Sequence, residues 1–243
     1  MPVDGAIGVT HRQELLPGFD QRALERATVI LIGGGGIGSE VGEGLVRKGV
    51  GCLKIFDHDA IELSNLNRQM FFKKDLHKKK GRQLAINLAA HANCGTVLEG
   101  YSLSFQDALV LRLNMSASAV VCGVDNGKTR VEVCNYFRKL GIPVVFIAVD
   151  YAAEHGYAFV QEPGKACFGC LFPKSLYGRK APCQTPAVKD ILKVVAGLAL
   201  YAIDSLIMDR NRNWNFRNVH LAGFAPSEEM TIEKNPECPL CHE

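Results

Sequence analysis

A chain of 243 residues that is 47% hydrophobic and 22% charged has the composition of a soluble globular enzyme, with enough material for a full core. Its net charge of +3 is too small to argue for a nucleic-acid partner, and no apolar run makes a membrane span, since the longest, 191–208, contains Lys193, Gly197 and Asp204 and predicts a buried helix. The N-terminus has no basic stretch followed by an apolar one, which predicts a cytoplasmic chain whose nine cysteines are thiols, metal ligands or nucleophiles rather than disulfides.

Residues 1–26 read as an N-terminal arm and helix, broken at Pro17-Gly18. Thr28 to Ile32 is a short β-branched run bounded by glycines, and predicts a buried strand. A helix follows from Ser39 to Lys48, then a strand from Cys52 to Phe56 ending at Asp57. A long loop, 59–77, leads to a helix over 80–92 and a third strand over 96–103. A fourth strand, 119–123, ends near Asp125; a helix over 129–140 and a fifth strand over 143–149 follow. This β-α-β alternation predicts a doubly wound, mostly parallel α/β sheet over 27–150. Beyond it, strands at 156–161, 216–221 and 229–232 and a helix over 186–208 predict an antiparallel extension.

Gly33-Gly34-Gly35-Gly36-Ile37-Gly38 fits G-x-G-x-x-G at Gly33, Gly35 and Gly38, after a strand and at the opening of a helix. Glycines let backbone approach phosphate, and the helix N-terminus supplies N–H groups and positive potential. Asp57, 19 residues after Gly38 at the end of the next strand, suits a carboxylate that accepts the ribose hydroxyls. Taken alone, the motif points to a dinucleotide or mononucleotide, and NAD(P)-dependent oxidoreductases are the larger class.

The string from Asp57 to Gln69 changes that reading. A dehydrogenase needs no cation just past its ribose acid, whereas an enzyme handling a triphosphate does. Arg68 offers a bidentate fork for phosphate oxygens, with Asn65 and Gln69 as hydrogen-bonding neighbours. Lys73, Lys74, Lys78, Lys79 and Lys80 add charge, although lysine runs are commonly solvated faces.

"GGGGIGSE", "DHDAIELSNLNRQ" and "GVDNGKTR", in this order, resemble the ThiF/MoeB family, the bacterial relatives of ubiquitin-activating enzymes. The resemblance extends from "HRQ" at His11 to "CPLC" near the end. It implies a single Rossmann-like adenylation domain, usually a homodimer, that binds ATP and Mg²⁺ and the C-terminal Gly-Gly of a small ubiquitin-fold protein. Residues 27–150 would be the nucleotide-binding half and 151–243 the carrier-binding half. Carried over, Gly33, Gly35, Gly36 and Gly38 form the phosphate loop, and Asp57 binds ribose, with Asp59 in the same nucleotide-binding set. Ser64, Asn65, Arg68 and Gln69 line the phosphates. Lys80 matches the lysine that stabilises the transferring phosphoryl group, with Lys79 as the alternative if no residue is deleted before Asp75. Asp125, with Asn126 beside it, matches the acid that holds magnesium. Arg12 matches the arginine that reaches the γ-phosphate of the partner subunit's ATP.

The implied chemistry is attack of a carboxylate on the α-phosphorus with loss of pyrophosphate. A carboxylate is already ionised at neutral pH, so no general base is required. His58, His91 and His155 therefore read as structural or exposed.

Cys167-x-x-Cys170 and Cys238-x-x-Cys241 are paired knuckles whose four thiolates would close a structural Zn²⁺ site, pinning the C-terminal tail to the middle of the chain. The resemblance implies the same site; His242 is an alternative ligand. Cys183 stands before a helix and near Arg179 and Lys180, a setting that lowers a thiol pKa. In some relatives a cysteine there forms a thioester or an acyl-disulfide and in others it is dispensable, so its covalent role stays open. Cys52, Cys94, Cys122 and Cys134 are expected to be buried and inert. The outcomes in view are activation of a sulfur carrier, conjugation of a ubiquitin-like modifier and peptide tailoring. From other classes come the oxidoreductase and an inactive scaffold, which Arg12, Arg68, Lys80 and Asp125 disfavour.

Overall fold

The structure, a computed structural model, describes residues 8–172, 186–223 and 226–241. In chain order its elements are helix α1 (His11–Glu14), α2 (Gln21–Arg26), strand β1 (Thr28–Ile32), α3 (Gly36–Lys48), β2 (Cys52–Phe56), α4 (Lys80–Leu88) and β3 (Val97–Tyr101). There follow α5 (Phe105–Val110), β4 (Ala119–Cys122), α6 (Gly127–Lys139), β5 (Val144–Val149), β6 (His155–Gln161), α7 (Phe168–Leu171), α8 (Lys189–Ile207), β7 (Phe216–His220) and β8 (Glu229–Met230). All eight strands form one sheet in the order β3-β2-β1-β4-β5-β6-β7-β8. The pairings from β3 to β5 are parallel, and those from β5 to β8 are antiparallel, so the predicted extension is part of the same sheet.

Strand residues alternate between two cores because successive side chains point to opposite faces. Val29 and Leu31 of β1 face the core built with α3, α4 and α8, while Ile30 and Ile32 face the one built with α5 and α6. Strands buried on both faces read as continuous apolar runs, which is why β1 and β4 are legible without alternation.

The predicted helix over 186–208 is α8, and it is buried along one stripe only. Ile191, Val195, Ala199 and Ile203 are fully buried, whereas Lys193, Val194, Gly197 and Tyr201 are exposed. Helix α5 is not predicted by the sequence pattern. Ser104 and Asp107 start it with a reciprocal capping box, the Ser104 hydroxyl accepting from the Asp107 N–H at 3.1 Å. Cys122 and Cys134 are buried as expected, but Cys52 and Cys94 are partly exposed, since each sits at the rim where β2 and the loop before β3 meet solvent.

Register places the functional loops. Ile32 of β1 is level with Phe56 of β2 and with Cys122 of β4. Gly33, Asp57 and Gly123 therefore emerge side by side at the carboxyl ends of three neighbouring strands. The order reverses between β1 and β4, the position where open α/β sheets form their crevice.

Candidate active site

The glycine loop is held from both sides. Gly33 N–H donates to the Phe56 carbonyl and Gly123 N–H to the Ile32 carbonyl, each at 2.9 Å. Gly33 has φ +98°, in the left-handed half of the map, and a Cβ there would lie 3.0 Å from the Gly123 carbonyl carbon. Gly38 is closer still: a Cβ would lie 2.0 Å from the Gly33 carbonyl oxygen. These two glycines let α3 begin directly against the strand end. Ser39, fully buried in the first turn of α3, donates to the Gly34 carbonyl and accepts from the Met70 N–H, both at 3.3 Å. It ties the glycine loop to the Arg68-Gln69 segment, a role that no sequence motif announces.

Asp57 is buried, and burial pushes its carboxyl above the usual range, with Lys80 and the N–H groups of Asp59 and Gly34 pulling the other way. One oxygen accepts from Asp59 N–H at 2.9 Å and the other from Gly34 N–H at 2.8 Å. An ionised carboxylate has about four acceptor sites, so roughly two remain for the two hydroxyls of a ribose. Lys80 opens α4 with its Nζ 3.0 Å from Asp59. It is buried, whereas Lys79 donates outward to the His58 carbonyl at 2.8 Å. Of the two lysines, Lys80 is thus the one turned into the Asp57 corner. Lys78 pairs with Asp75 at 3.1 Å, and Lys73 and Lys74 lie on the solvated surface.

The loop after Asp57 divides its polar residues. Asn65 is buried, and its side-chain oxygen accepts from Glu62 N–H at 3.0 Å. Gln69 is buried with its amide nitrogen towards Gly35, and its Oε1 has no hydrogen-bond partner among the described residues. Ser64 is exposed and Arg68 half-buried; Arg68 donates to the Ser64 carbonyl at 2.7 Å and to the Asn67 side chain at 2.9 Å. Asp125 is exposed, two residues beyond Gly123, and Asn126 is engaged as the cap of α6, accepting from Thr129 N–H at 2.8 Å. A lone accessible carboxylate is what Mg²⁺ on a nucleotide phosphate requires, since that ion takes one or two carboxylates and fills its octahedron with phosphate oxygens and water.

Arg12 is not among this group. It is exposed on α1, next to Gln13, whose amide donates to the Lys48 carbonyl at 2.8 Å. Lys48 ends α3 and the glycine loop begins it, and a helix of 13 residues is about 20 Å long. Arg12 therefore stands at the wrong end of α3 to serve its own chain's loop.

The four knuckle cysteines converge. Cys167 Sγ lies 3.8, 3.6 and 3.5 Å from those of Cys170, Cys238 and Cys241, and Cys170 lies 3.5 Å from Cys241. Four thiolates about 2.3 Å from a tetrahedral zinc ion would stand about 3.8 Å apart, so the set fits that ion. Cys183 and His242 lie outside the described residues. His58, His91 and His155 make carboxylate or guanidinium contacts at the surface. No described helix is long and apolar enough to cross a membrane.

The family model described as the ThiF family matches residues 10–240. The chain is 31% identical to the sulfur carrier protein adenylyltransferase of Thermus thermophilus, across 95% of this chain and 89% of that protein. It is 32% identical to the sulfur carrier protein ThiS adenylyltransferase of Bacillus subtilis, across 73% of this chain but only 54% of the relative's length. With the SAMP-activating enzyme E1 of Haloferax volcanii it shares 29% identity across 92% of this chain and 83% of that one. Among solved structures, E. coli MccB with ATP superposes with a TM-score of 0.77 over 91% of this chain and 68% of that chain, at 21% identity, a likeness of fold. The glycine loop, the string from Asp57 to Gln69 and the cysteine knuckles lie within the matched span, and this chain belongs to the ThiF family of adenylyltransferases.

Proposed function

We propose that the chain adenylylates the C-terminal carboxylate of a small ubiquitin-fold protein ending in Gly-Gly, releasing pyrophosphate. The observation that supports this is the level exit of Gly33, Asp57 and Gly123 from adjacent strands, which sets the glycine loop beside the buried Asp57, with Lys80 paired to Asp59 and Asp125 two residues past Gly123. The names of the relatives supply the substrate class: sulfur carrier proteins for two of them.

In this reading the glycine-loop N–H groups and the start of α3 hold the phosphates, and Asp57 fixes the ribose through its two remaining acceptor sites. Gln69 donates its amide N–H, which lies near Gly35, to a phosphate oxygen. Arg68 leaves its contacts within its own loop and, with Lys80, shields the negative charge that accumulates as the carboxylate oxygen bonds to the α-phosphorus and the bond to the β-phosphate oxygen breaks. Aligning two anions is the main obstacle, so positioning and charge stabilisation carry the catalysis. Asp125 would hold Mg²⁺, which neutralises phosphate charge. Zn²⁺ in the Cys167, Cys170, Cys238 and Cys241 site would be structural, tying the C-terminal segment to α7. A later transfer to the Cys183 thiol would expel AMP and leave a thioester.

The enzyme works as a homodimer in this account, with Arg12 reaching the partner's nucleotide, because it cannot reach its own. ATP–pyrophosphate exchange that requires a Gly-Gly ubiquitin-fold protein tests the proposal; NADH binding, or no exchange with any such partner, would sink it. Mixing inactive Arg12→Ala and Asp125→Ala chains should restore about a quarter of wild-type activity, since half the dimers then carry one intact site of two. If the mixture stays inactive although subunits exchange, Arg12 does not act in trans.

A further inference from the structure

Helices α3 and α8 run parallel and in close contact. A Cβ on Gly36 would lie 2.6 Å from Leu192, and one on Gly44 would lie 2.4 Å from Leu200. Ion pairs close both ends: Lys48 with Asp204 at the C-terminal end, and Glu40 with Lys189, 3.1 Å apart, at the end that meets the glycine loop. The second pair is the informative one. Glu40 sits one turn past Gly36 and its side chain is only 7% exposed. Its carboxylate suits the positive end of a helix, but that is also where the phosphates of a nucleotide would lie. Lys189 stands one turn before Leu192, so its backbone is level with the glycine loop and its ammonium reaches back to Glu40.

We propose that Lys189 is a positioning residue for nucleotide binding: by neutralising the buried carboxylate of Glu40 it keeps the phosphate end of α3 attractive to ATP. The inference rests on the reading that the glycine loop takes the triphosphate. It makes a prediction of sign that a simple structural pair does not. Removing the cation leaves a buried negative charge beside the phosphates. Removing the carboxylate leaves a cation there instead. Lys189→Met should weaken binding about tenfold, the size expected of one partly screened charge a turn or two away. Glu40→Gln should bind as well as the wild type or better, and Glu40→Gln/Lys189→Met should return to within about twofold of it.

The experiment is calorimetric titration of each full-length variant with a non-hydrolysable ATP analogue and Mg²⁺ at low and high salt, together with KM for ATP and kcat in the exchange reaction. The inference expects the Lys189→Met defect in Kd and KM with kcat within about twofold, shrinking at high salt and rescued by Glu40→Gln. Equal losses in both single variants with no rescue would overturn it, as would wild-type affinity for Lys189→Met. Asp57→Asn separates the two levels of the claim. If the wild type binds no analogue, or Asp57→Asn binds it normally, the glycine-loop reading fails. If the wild type binds through Asp57 and Lys189→Met is indistinguishable from it, only the inference about Lys189 fails.

Discussion

Replacing Gly38 with alanine pits two effects of known size against each other. Gly38 lies inside α3, where alanine is worth about 1 kcal/mol over glycine in helix propensity. The added methyl, however, would sit 2.0 Å from the Gly33 carbonyl oxygen, a backbone atom with no rotamer to retreat into. Relief requires α3 or the strand end to move by about an ångström, and overpacking of this kind costs about 1–3 kcal/mol or more. The clash should win by about 1–2 kcal/mol, lowering Tm by roughly 2–8 °C at about 2–4 °C per kcal/mol for a chain of this size. Nucleotide binding should suffer more than stability, because a displacement of an ångström at a positioned site can cost about a hundredfold. Gly197, exposed in the middle of α8 with nothing within 4 Å of where a methyl would stand, is the control. Gly197→Ala should raise Tm by roughly 2 °C through propensity alone. Differential scanning calorimetry and analogue titration report both quantities. A Gly38→Ala variant with wild-type Tm and affinity would refute the argument that this glycine is required by close approach.

Arg68→Ala should leave Tm within about 2 °C, since the half-buried side chain is hydrogen-bonded within its own loop, yet cut exchange at least about a hundredfold; equal losses in Tm and activity would mean Arg68 is structural. Asp75 is buried, which by itself would raise its carboxyl, but hydrogen bonds from Asn87, Phe72 N–H and Lys78 outweigh burial and hold it below the usual range. A depressed acid stabilises above its unfolded pKa, so Asp75→Asn should cost about 1–3 kcal/mol at pH 7, and the gap should close as pH falls below about 4 through the folded-state pKa. A gap that is constant with pH in urea titrations would contradict that assignment. Purified protein should carry one zinc per chain by elemental analysis, and Cys238→Ser should lose the metal and melt at least roughly 5 °C lower; a stable variant without metal would remove zinc from the account.

Much of the architecture is legible because its strands are short β-branched runs with glycine or aspartate at their ends. The parallel half follows from alternation alone, whereas the crevice depends on the strand order β3-β2-β1-β4-β5, which alternation does not set. Helix α5 escaped because six residues carry too little periodicity, and only the Ser104–Asp107 capping box announces it. The choice between Lys79 and Lys80 could not be made from spacing, since one step along a helix turns a side chain by about 100°. The fold starts α4 at Lys80 and aims that side chain at Asp59, which is what favours Lys80 in the proposed reaction. Cys52 and Cys94 looked buried from their apolar neighbours, but burial at a rim depends on what packs over it. The Glu40–Lys189 pair was illegible for a different reason: its members are far apart in sequence and meet only because Gly36 and Gly44 let α8 lie directly on α3.

The central claim is that a carboxylate attacks the α-phosphorus. It is tested by incubating the enzyme with a Gly-Gly ubiquitin-fold protein and ATP labelled at either the α- or the γ-phosphate, then isolating the partner protein under acid. The account predicts that the α-label travels with the partner's C-terminus while the γ-label leaves in pyrophosphate. Label from the γ-phosphate on the partner, or α-label in free ADP, would contradict it.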